Sequence, residues 1–375
     1  MSIRQHNLGS IVKPGFNALG AQTSALQSTL FNWGLNSSGQ LGLGDITDRS
    51  SPVQVGLLTT WLNIASGNYH TITTKNDGTL WTWGGSPQGQ LGLGNTTNYS
   101  SPKQVGALTT WATVGKGNYY SIAITTAGAL WTWGQNNTGQ LGVGSTTNYS
   151  SPKQVGALTT WSKVAGSRHT IAIKTDGTLW TWGRNTYGAL GLSNTTNYSS
   201  PKQVGSATTW LNIAAGEYHS IAITTTGTLW TWGWNGDGQL GLGNTTNYSS
   251  PKQVGGLTTW LKAVAGGNST FVIKTDGTLW AWGVGGSGQL GLGNTTAYSS
   301  PKQVGALTTW ATIACAVSNS NVAAITTSGA LWVWGYNNKG QLGLGNITNY
   351  SSPKQVGSLT TWLKVAAGYQ NTIAL

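Results

Sequence analysis

GTLWTWGWNGDGQLGLGNTTNYSSPKQVGGLTTWLKAVAGG, residues 227–267, is the clearest copy of a module that fills nearly the whole chain. The Trp before its marker Gly recurs at Trp33, Trp83, Trp133, Trp182, Trp232, Trp282 and Trp334, at spacings of 50, 50, 49, 50, 50 and 52 residues. A fixed period of about 40 to 50 residues with several short strands in each period is the signature of a β-propeller blade. The expected fold is therefore all-β, a seven-bladed propeller of four-stranded blades.

Within the repeat beginning near Thr79, Leu80-Trp81-Thr82-Trp83 alternates across a strand. Trp81 and Trp83 fall on one face and Leu80 and Thr82 on the other, each to be covered by a neighbouring blade. Gly89-Gln90-Leu91-Gly92-Leu93-Gly94 reads as a tight excursion, because Gly permits the positive φ that such turns require. Ser101-Pro102-Lys103-Gln104-Val105 reads as an edge strand, since Pro is tolerated there and not centrally. Trp111 to Gly117 is placed nearest the axis. The equivalent Ile213-Ala214-Ala215-Gly216 shows small side chains, which seven converging strands favour. Ser121-Ile122-Ala123-Ile124 leads by a hairpin into the next Trp strand, and Asp77-Gly78, Asp176-Gly177 and Asp276-Gly277 are strong turn signals.

The chain enters the repeat at the Trp strand, Thr29 to Gly34, and stops at Thr372-Ile373-Ala374-Leu375, the strand that ordinarily precedes it. One blade must then be built from both ends, which closes the ring and removes free sheet edges. Length alone, 375 residues, is that of two or three domains, but blades bury their faces only against one another. The division expected is one propeller over 25–375 and an N-terminal arm or linker over 1–24. That arm contains a Pro14-Gly15 turn and has no repeat period. Its Ile11, Val12, Phe16 and Leu19 are candidate anchor residues, because a purely solvating tail has no use for them.

Only 7% of residues are charged and 56 are Gly, yet 21 Trp supply ample core. The formal charge of +12 raises the question of nucleic acid. Lys103, Lys153, Lys202, Lys252, Lys302 and Lys354 share one position after the Ser-Pro pair, which spreads them around the ring. A belt of this kind reads as a solvated face in preference to a polyanion groove, so specific nucleic-acid binding is not expected. The single Cys315 excludes an intramolecular disulfide framework. No apolar run approaches the roughly 18 residues of a membrane span, and no secretory signal is visible; no membrane contact is expected. The Asn-X-Ser/Thr triplets at Asn95 and Asn98 read as turn residues ahead of glycosylation acceptors.

LWTWG, GQLGLG, SPKQV and VAxGxxH, in that order and seven times over residues 28 to 375, resemble the regulator of chromosome condensation repeat family. The resemblance implies a seven-bladed propeller. It also implies a choice of roles, since the family includes a guanine-nucleotide exchange factor and many noncatalytic interaction modules, and fold does not select between them. LGSIVKPGFNAL at the N-terminus looks like opening segments of structural proteins from tailed bacterial viruses.

Candidate chemistry is sparse. His70, His169 and His219 occupy one repeat position, where other blades carry Tyr120, Ser269, Asn321 and Asn371. Ligands about 2.0 to 2.1 Å from one zinc ion cannot easily come from separate blades, so hydrogen bonds to neighbouring backbone are expected. Only seven Asp and Glu are present, and Asp77, Asp176 and Asp276 are explained by turns. Glu217 beside His219 is the one suggestive neighbour for acid/base work. The phosphate-cradling Gly-Lys-Ser/Thr loop is absent. No catalytic residue, metal ligand or cofactor is assigned, and an enzyme is not expected.

Binding is the remaining class. The position after the marker Gly holds Leu35, Gly85, Gln135, Arg184, Trp234, Val284 and Tyr336 in turn. A second variable position holds Tyr69, Tyr119, Arg168, Tyr218, Asn268, Ser320 and Gln370. Repeats that agree elsewhere differ here, in loops, where packing constrains least and binding residues concentrate. Candidate partner-binding residues are Tyr69, Tyr119, Arg168, Tyr218, Arg184, Trp234 and Tyr336. The expectation is a noncatalytic structural or binding propeller, a virion component held to another protein through its arm, with cytoplasm as the other location. Two alternatives stand beside it. One is a lectin-like module that stacks Trp on a surface glycan, and the other is an exchange-factor-like regulator of a small GTPase.

Overall fold

The computed structural model describes residues 28–316 and 321–375; the arm over 1–24, with Ile11, Val12, Phe16 and Leu19, lies outside them, as does Ser320. The described residues form seven four-stranded antiparallel sheets, each with its strands in sequence order except the one that closes the ring. From axis to rim, the first complete blade runs Trp61–Ser66, His70–Lys75, Leu80–Gly84 and Tyr99–Gln104. The Lys of each Ser-Pro-Lys triplet therefore sits on the outermost strand. Lys103, Lys153, Lys202, Lys252, Lys302 and Lys354 are all exposed. Each ammonium lies 5.2–5.5 Å from the ring of the Tyr that opens its own strand.

The closing blade is made from both chain ends. Phe31–Gly34 pairs with Asn371–Ala374 in the register Phe31↔Ala374 to Gly34↔Asn371. Val365–Ala367 lies inside that pair and Arg49–Gln54 outside it. No blade then presents a third or second strand to solvent, which is the condition for a ring without reactive edges.

The core lies between blades. Ala65, Ile72, Leu80 and Val105 of one blade pack with Trp111, Ala123 and Trp133 of the next, all buried. The two Trp of each LWTWG strand divide their roles. Trp83 is fully buried, while Trp81 is half-buried. This departs from the expectation that neighbouring blades cover both Trp of the strand; Trp81 is instead capped by Lys75 of its own blade, whose ammonium lies 3.6 Å from the ring. Both rings meet Trp61, at centroid distances of 6.2 and 5.9 Å in edge-on contacts. Edge-to-face packing of this kind adds about 0.5 to 1.5 kcal/mol per pair beyond burial. In the closing blade Phe31 replaces one Trp, 5.3 Å from Trp362.

Strand order near the axis agrees with the reading of small residues only in part. Ile64, Val114, Val164, Ile213, Val264, Ile313 and Val365 also face a central channel of about 240 Å³. β-branched side chains fit there because the channel is open rather than filled.

The hairpin turns show how one residue propagates. Asp77 Oδ1 accepts from the Thr79 amide at 2.9 Å and the Thr79 hydroxyl at 2.6 Å, and Thr79 Oγ1 accepts from Trp81 Nε1 at 2.9 Å. Thr228 serves Trp230 in the same way at 3.1 Å without an Asp. Ala129 and Ala330 occupy that Thr position in two blades, and there the indole nitrogens of Trp131 and Trp332 are buried without a partner. Ala129→Thr and Ala330→Thr should each stabilise the ring by about 0.5–1.5 kcal/mol, the usual worth of a restored hydrogen bond. Urea unfolding of the two variants checks this; an unchanged or lower midpoint would refute the relay.

A candidate binding face and the buried polar belt beneath it

Both variable positions fall at one end of the ring, and among the described residues a backbone bond joins them within six blades. Gly85 N donates to Tyr69 O at 2.7 Å, Trp234 N to Tyr218 O at 2.9 Å, and Arg184 N to Arg168 O at 3.4 Å. The irregular spacings also map here. The link from inner to second strand is residues 67–69 in one blade, 167–168 in the blade of spacing 49, and 316–320 in the blade of spacing 52. Length and side chain thus both vary at this end, while the strands below stay in register.

Six of the seven candidate residues gather into two clusters. Tyr69 lies 6.1 Å from Tyr119 and 5.3 Å from Tyr369. Burial and the neighbouring phenols push the Tyr69 hydroxyl above its ordinary range. In the second cluster the Arg168 and Arg184 guanidinium carbons lie 5.1 and 5.2 Å from the Tyr218 ring. Tyr187 stands edge-on to Tyr218 at 5.3 Å and lies 6.1 Å from Trp234. Arg168 Nε donates to Glu217 Oε1 at 2.7 Å, so Glu217 is an ion-pair partner and not the companion of His219. The Arg184 side chain donates to Thr186 Oγ1, at 3.2 Å, and among the described residues no carboxylate pairs with it. Tyr336 is at the equivalent position of another blade and joins neither cluster.

Tyr187 and Tyr369 were missed. Each stands in a column that varies, Tyr187 where Ser38, Gln88 and Thr138 stand, and Tyr369 where Asn68, Asn118 and Glu217 stand. That variation was the available signal.

Beneath this face runs a buried polar belt. His70 Nε2 meets Ser121 Oγ at 3.0 Å, His169 Nε2 meets Ser220 Oγ at 2.6 Å, and His219 Nε2 meets Thr270 Oγ1 at 3.0 Å. The partner is a hydroxyl on the next blade, not the backbone that the sequence reading named, because the ring points across the interface. Asn321 Nδ2 donates to Thr372 Oγ1 at 3.0 Å, and Tyr120 shares a hydrogen bond with Thr170 Oγ1 at 2.7 Å. Histidine is therefore one of several bridging solutions, and three histidines on three separate interfaces do not converge. Burial lowers His70 and His219 to about 3 and His169 to about 4, with the Lys116 charge adding to the effect on His70.

At the same end of the channel, Lys116 reaches across the axis and donates from Nζ to the carbonyls of Cys315, at 3.3 Å, and Ala367. Burial lowers its ammonium to about 8 and raises the Cys315 thiol to about 12, which keeps that thiol protonated and unreactive.

Fold and site together define a seven-bladed β-propeller with a loop-built aromatic and arginine surface at one end of its axis. The chain belongs to the Regulator of chromosome condensation (RCC1) repeat family, whose repeat matches residues 27–73, 77–124, 127–173, 176–223, 226–273, 276–322 and 328–375. It is 46% identical over 57 residues to the human "Probable E3 ubiquitin-protein ligase HERC3", 14% of this chain and 5% of that protein. It is 43% identical over 68 residues to "Protein RCC2 homolog" of Danio rerio, 17% of this chain and 14% of that protein. These matches span small fractions of the relatives. Human WBSCR16 superposes with a TM-score of 0.83 at 23% identity, covering 92% of this chain and 98% of the other. Prp20p of Saccharomyces cerevisiae does so at 0.80 and 19%, covering 93% and 91%. At those identities the likeness shows the fold.

These findings overturn the expectation of a virion component. The repeats match from 27 to 375, and the relatives are proteins of human, zebrafish and yeast. The near-identity of the repeats has a structural cause: seven equivalent interfaces demand the same residues seven times.

The histidine belt makes acid stability predictable. An unfolded chain protonates these histidines near pH 6.5, whereas the folded ring holds them neutral to about pH 3–4. The unfolded state binds more protons between those limits, so stability is complete above about pH 6.5 and falls as the pH drops toward 4. Each histidine contributes up to about 1.4 kcal/mol per pH unit in that window. Replacing His70, His169 and His219 together by Asn, the residue of two other blades, should flatten the dependence. Melting temperatures from pH 7 to 4 check it, and parallel curves for the two proteins would refute it.

Proposed function

We propose that this chain is a protein-binding propeller of the regulator type, an exchange-factor-like module that engages a small GTPase or a comparable protein through the face bearing the two aromatic clusters. It acts by binding, without covalent chemistry of its own. The observation that carries this reading is the cluster of Arg168 and Arg184 at the Tyr218 ring with Tyr187 and Trp234 beside it. Tyr, Trp and Arg dominate the energetic centres of protein interfaces. Rings already stacked on one another also lose little freedom on docking. Prp20p, which shares the fold, has binding properties toward Gsp1p and histones, and this supports a protein partner of that kind here. An unpaired Arg184 suits a partner that presents a carboxylate beside an apolar side chain.

The test is twofold. The purified chain is assayed for retention of Gsp1p and of histones, and for accelerated release of a fluorescent guanine nucleotide from small GTPases. Arg184→Ala and Trp234→Ala should each weaken the retained complex by about 2 kcal/mol or more, roughly thirtyfold, and leave the melting temperature unchanged. Retention without nucleotide release would keep the binding module and remove the exchange reading. Failure to retain any of these proteins, or undiminished binding by both variants, would overturn the proposal.

A further inference from the structure

The opposite end of the ring carries a different chemistry. Each loop from an outer strand to the next inner strand passes through Gly-X-Leu-Thr-Thr or a close variant, and places Leu58, Leu108, Leu158, Leu257, Leu307 and Leu359 at one repeat position. These six are 40–54% exposed. Leu211, Leu261 and Leu363 at the start of the inner strands are exposed beside them, at 42–55%. Isolated surface leucines need no explanation, but a leucine exposed at one position of six blades on the same end of a ring does.

Lysines accompany the leucines. Lys163, Lys262 and Lys364 lie near the start of the inner strands. They donate to backbone carbonyls of the neighbouring blade, Lys262 to Ala311 O at 2.7 Å and Lys364 to Leu62 O at 2.6 Å. Lys75, Lys174 and Lys274 close the second strands and lie 3.6–3.8 Å from the rings of Trp81, Trp180 and Trp280. Against these six the hairpins at this end offer Asp77, Asp176 and Asp276, whose carboxylates are engaged by Thr79, Thr178 and Thr278. Among the described residues none of the six lysines is in an ion pair.

We propose that this end of the ring docks on the surface of an anionic lipid bilayer, with the leucines entering the headgroup region and Lys163, Lys262 and Lys364 facing lipid phosphates, Lys75 being buried against Trp81. Geometry favours a bilayer over a folded partner. Equivalent loops of one ring stand at one height, so the leucines form a planar annulus. A flat fluid surface meets all of them at once, whereas a peptide engages one or two. Charge selects the lipid, since exposed apolar side chains with surrounding lysines bind anionic interfaces by the two terms together. Charge also disfavours a second copy, because two basic ends would face each other. The described chain enters the ring at this end, Ser28 N donating to Thr59 O at 2.8 Å, so the preceding residues 1–27 are the competing occupant. The proposal uses none of the residues of the aromatic face and is independent of the regulator reading.

Vesicle flotation of the full chain tests it. Vesicles of phosphatidylcholine alone are compared with vesicles containing about 30% phosphatidylglycerol, at low and high salt, since the lysine contribution is screened within about 8 to 10 Å at moderate salt. The chain should float with anionic vesicles, weakly with neutral ones, and less as salt rises. Joint replacement Lys163→Gln, Lys262→Gln and Lys364→Gln should weaken flotation roughly hundredfold. A second variant, Leu108→Asn, Leu158→Asn, Leu257→Asn and Leu307→Asn, changes only exposed loop residues and should abolish it with an unchanged circular dichroism spectrum. A full chain that remains unbound would show that residues 1–27 or another copy cover the annulus, and would overturn the proposal. So would flotation unaltered by both variants, or light scattering that finds a dimer which the leucine variant dissolves.

Discussion

The hydrogen bond from one indole to a carbonyl of the preceding blade is the constraint on which this ring depends. Trp83 Nε1 donates to Gln40 O at 3.0 Å, and the same bond recurs from Trp33, Trp133, Trp182, Trp232, Trp282 and Trp334 at 2.8–3.0 Å. Each donor is fully buried, so an unmade bond would cost the desolvation of the indole as well as the contact. The second Gly of GQLGLG exists for this bond. Gly42 has φ +74°, and a Cβ placed there would lie 2.6 Å from Trp83 Nε1. A backbone that must pass flat against an indole edge in a left-handed conformation admits little but Gly.

The same carbonyl usually accepts a second bond. Thr71 Oγ1 reaches Gln40 O at 3.0 Å, and Ser121, Thr170, Ser220, Thr270 and Thr372 do likewise in their blades. Those hydroxyls are the groups that the histidines, Tyr120 and Asn321 meet. Indole, loop carbonyl, hydroxyl and, at three interfaces, imidazole therefore form one polar layer between the blades, beside further buried polar side chains such as Asn32 and Thr82. In such a layer every member depends on its neighbours being satisfied. Imidazole there is a neutral bridging group, and its burial, not a nearby base, sets its protonation.

Rigid interfaces leave the two ends of the ring free to diverge. One end gathers tyrosine, tryptophan and arginine from loops that vary in length. The other repeats one loop leucine on six of the seven blades and adds lysines on some of them. A scaffold whose blades are locked by identical bonds tolerates loop change at either end without loss of register, which is how a repeat ring acquires surfaces of different chemistry.

The blade count, the order of strands from axis to rim and the closure by both ends are legible in the amino-acid sequence. They follow from local patterns: a fixed Trp spacing, alternation along each strand, Gly and Pro at turns, and a Trp strand at the start with its partner at the stop. Local comparison also marks Tyr69, Tyr119, Arg168, Arg184, Tyr218, Trp234 and Tyr336 as positions where repeats diverge. Which of them meet is settled by the assembled ring. Tyr218 meets two arginines that both come from the preceding blade, Tyr187 and Tyr369 enter from two further variable columns, and Tyr336 is left apart. Assembly likewise sets His70 against Ser121 across an interface and gives Glu217 to Arg168. The reason is geometric: contacts between blades depend on ring radius and sheet twist, which bring residues about one repeat apart to within bonding distance, and no pattern inside a single repeat encodes that distance.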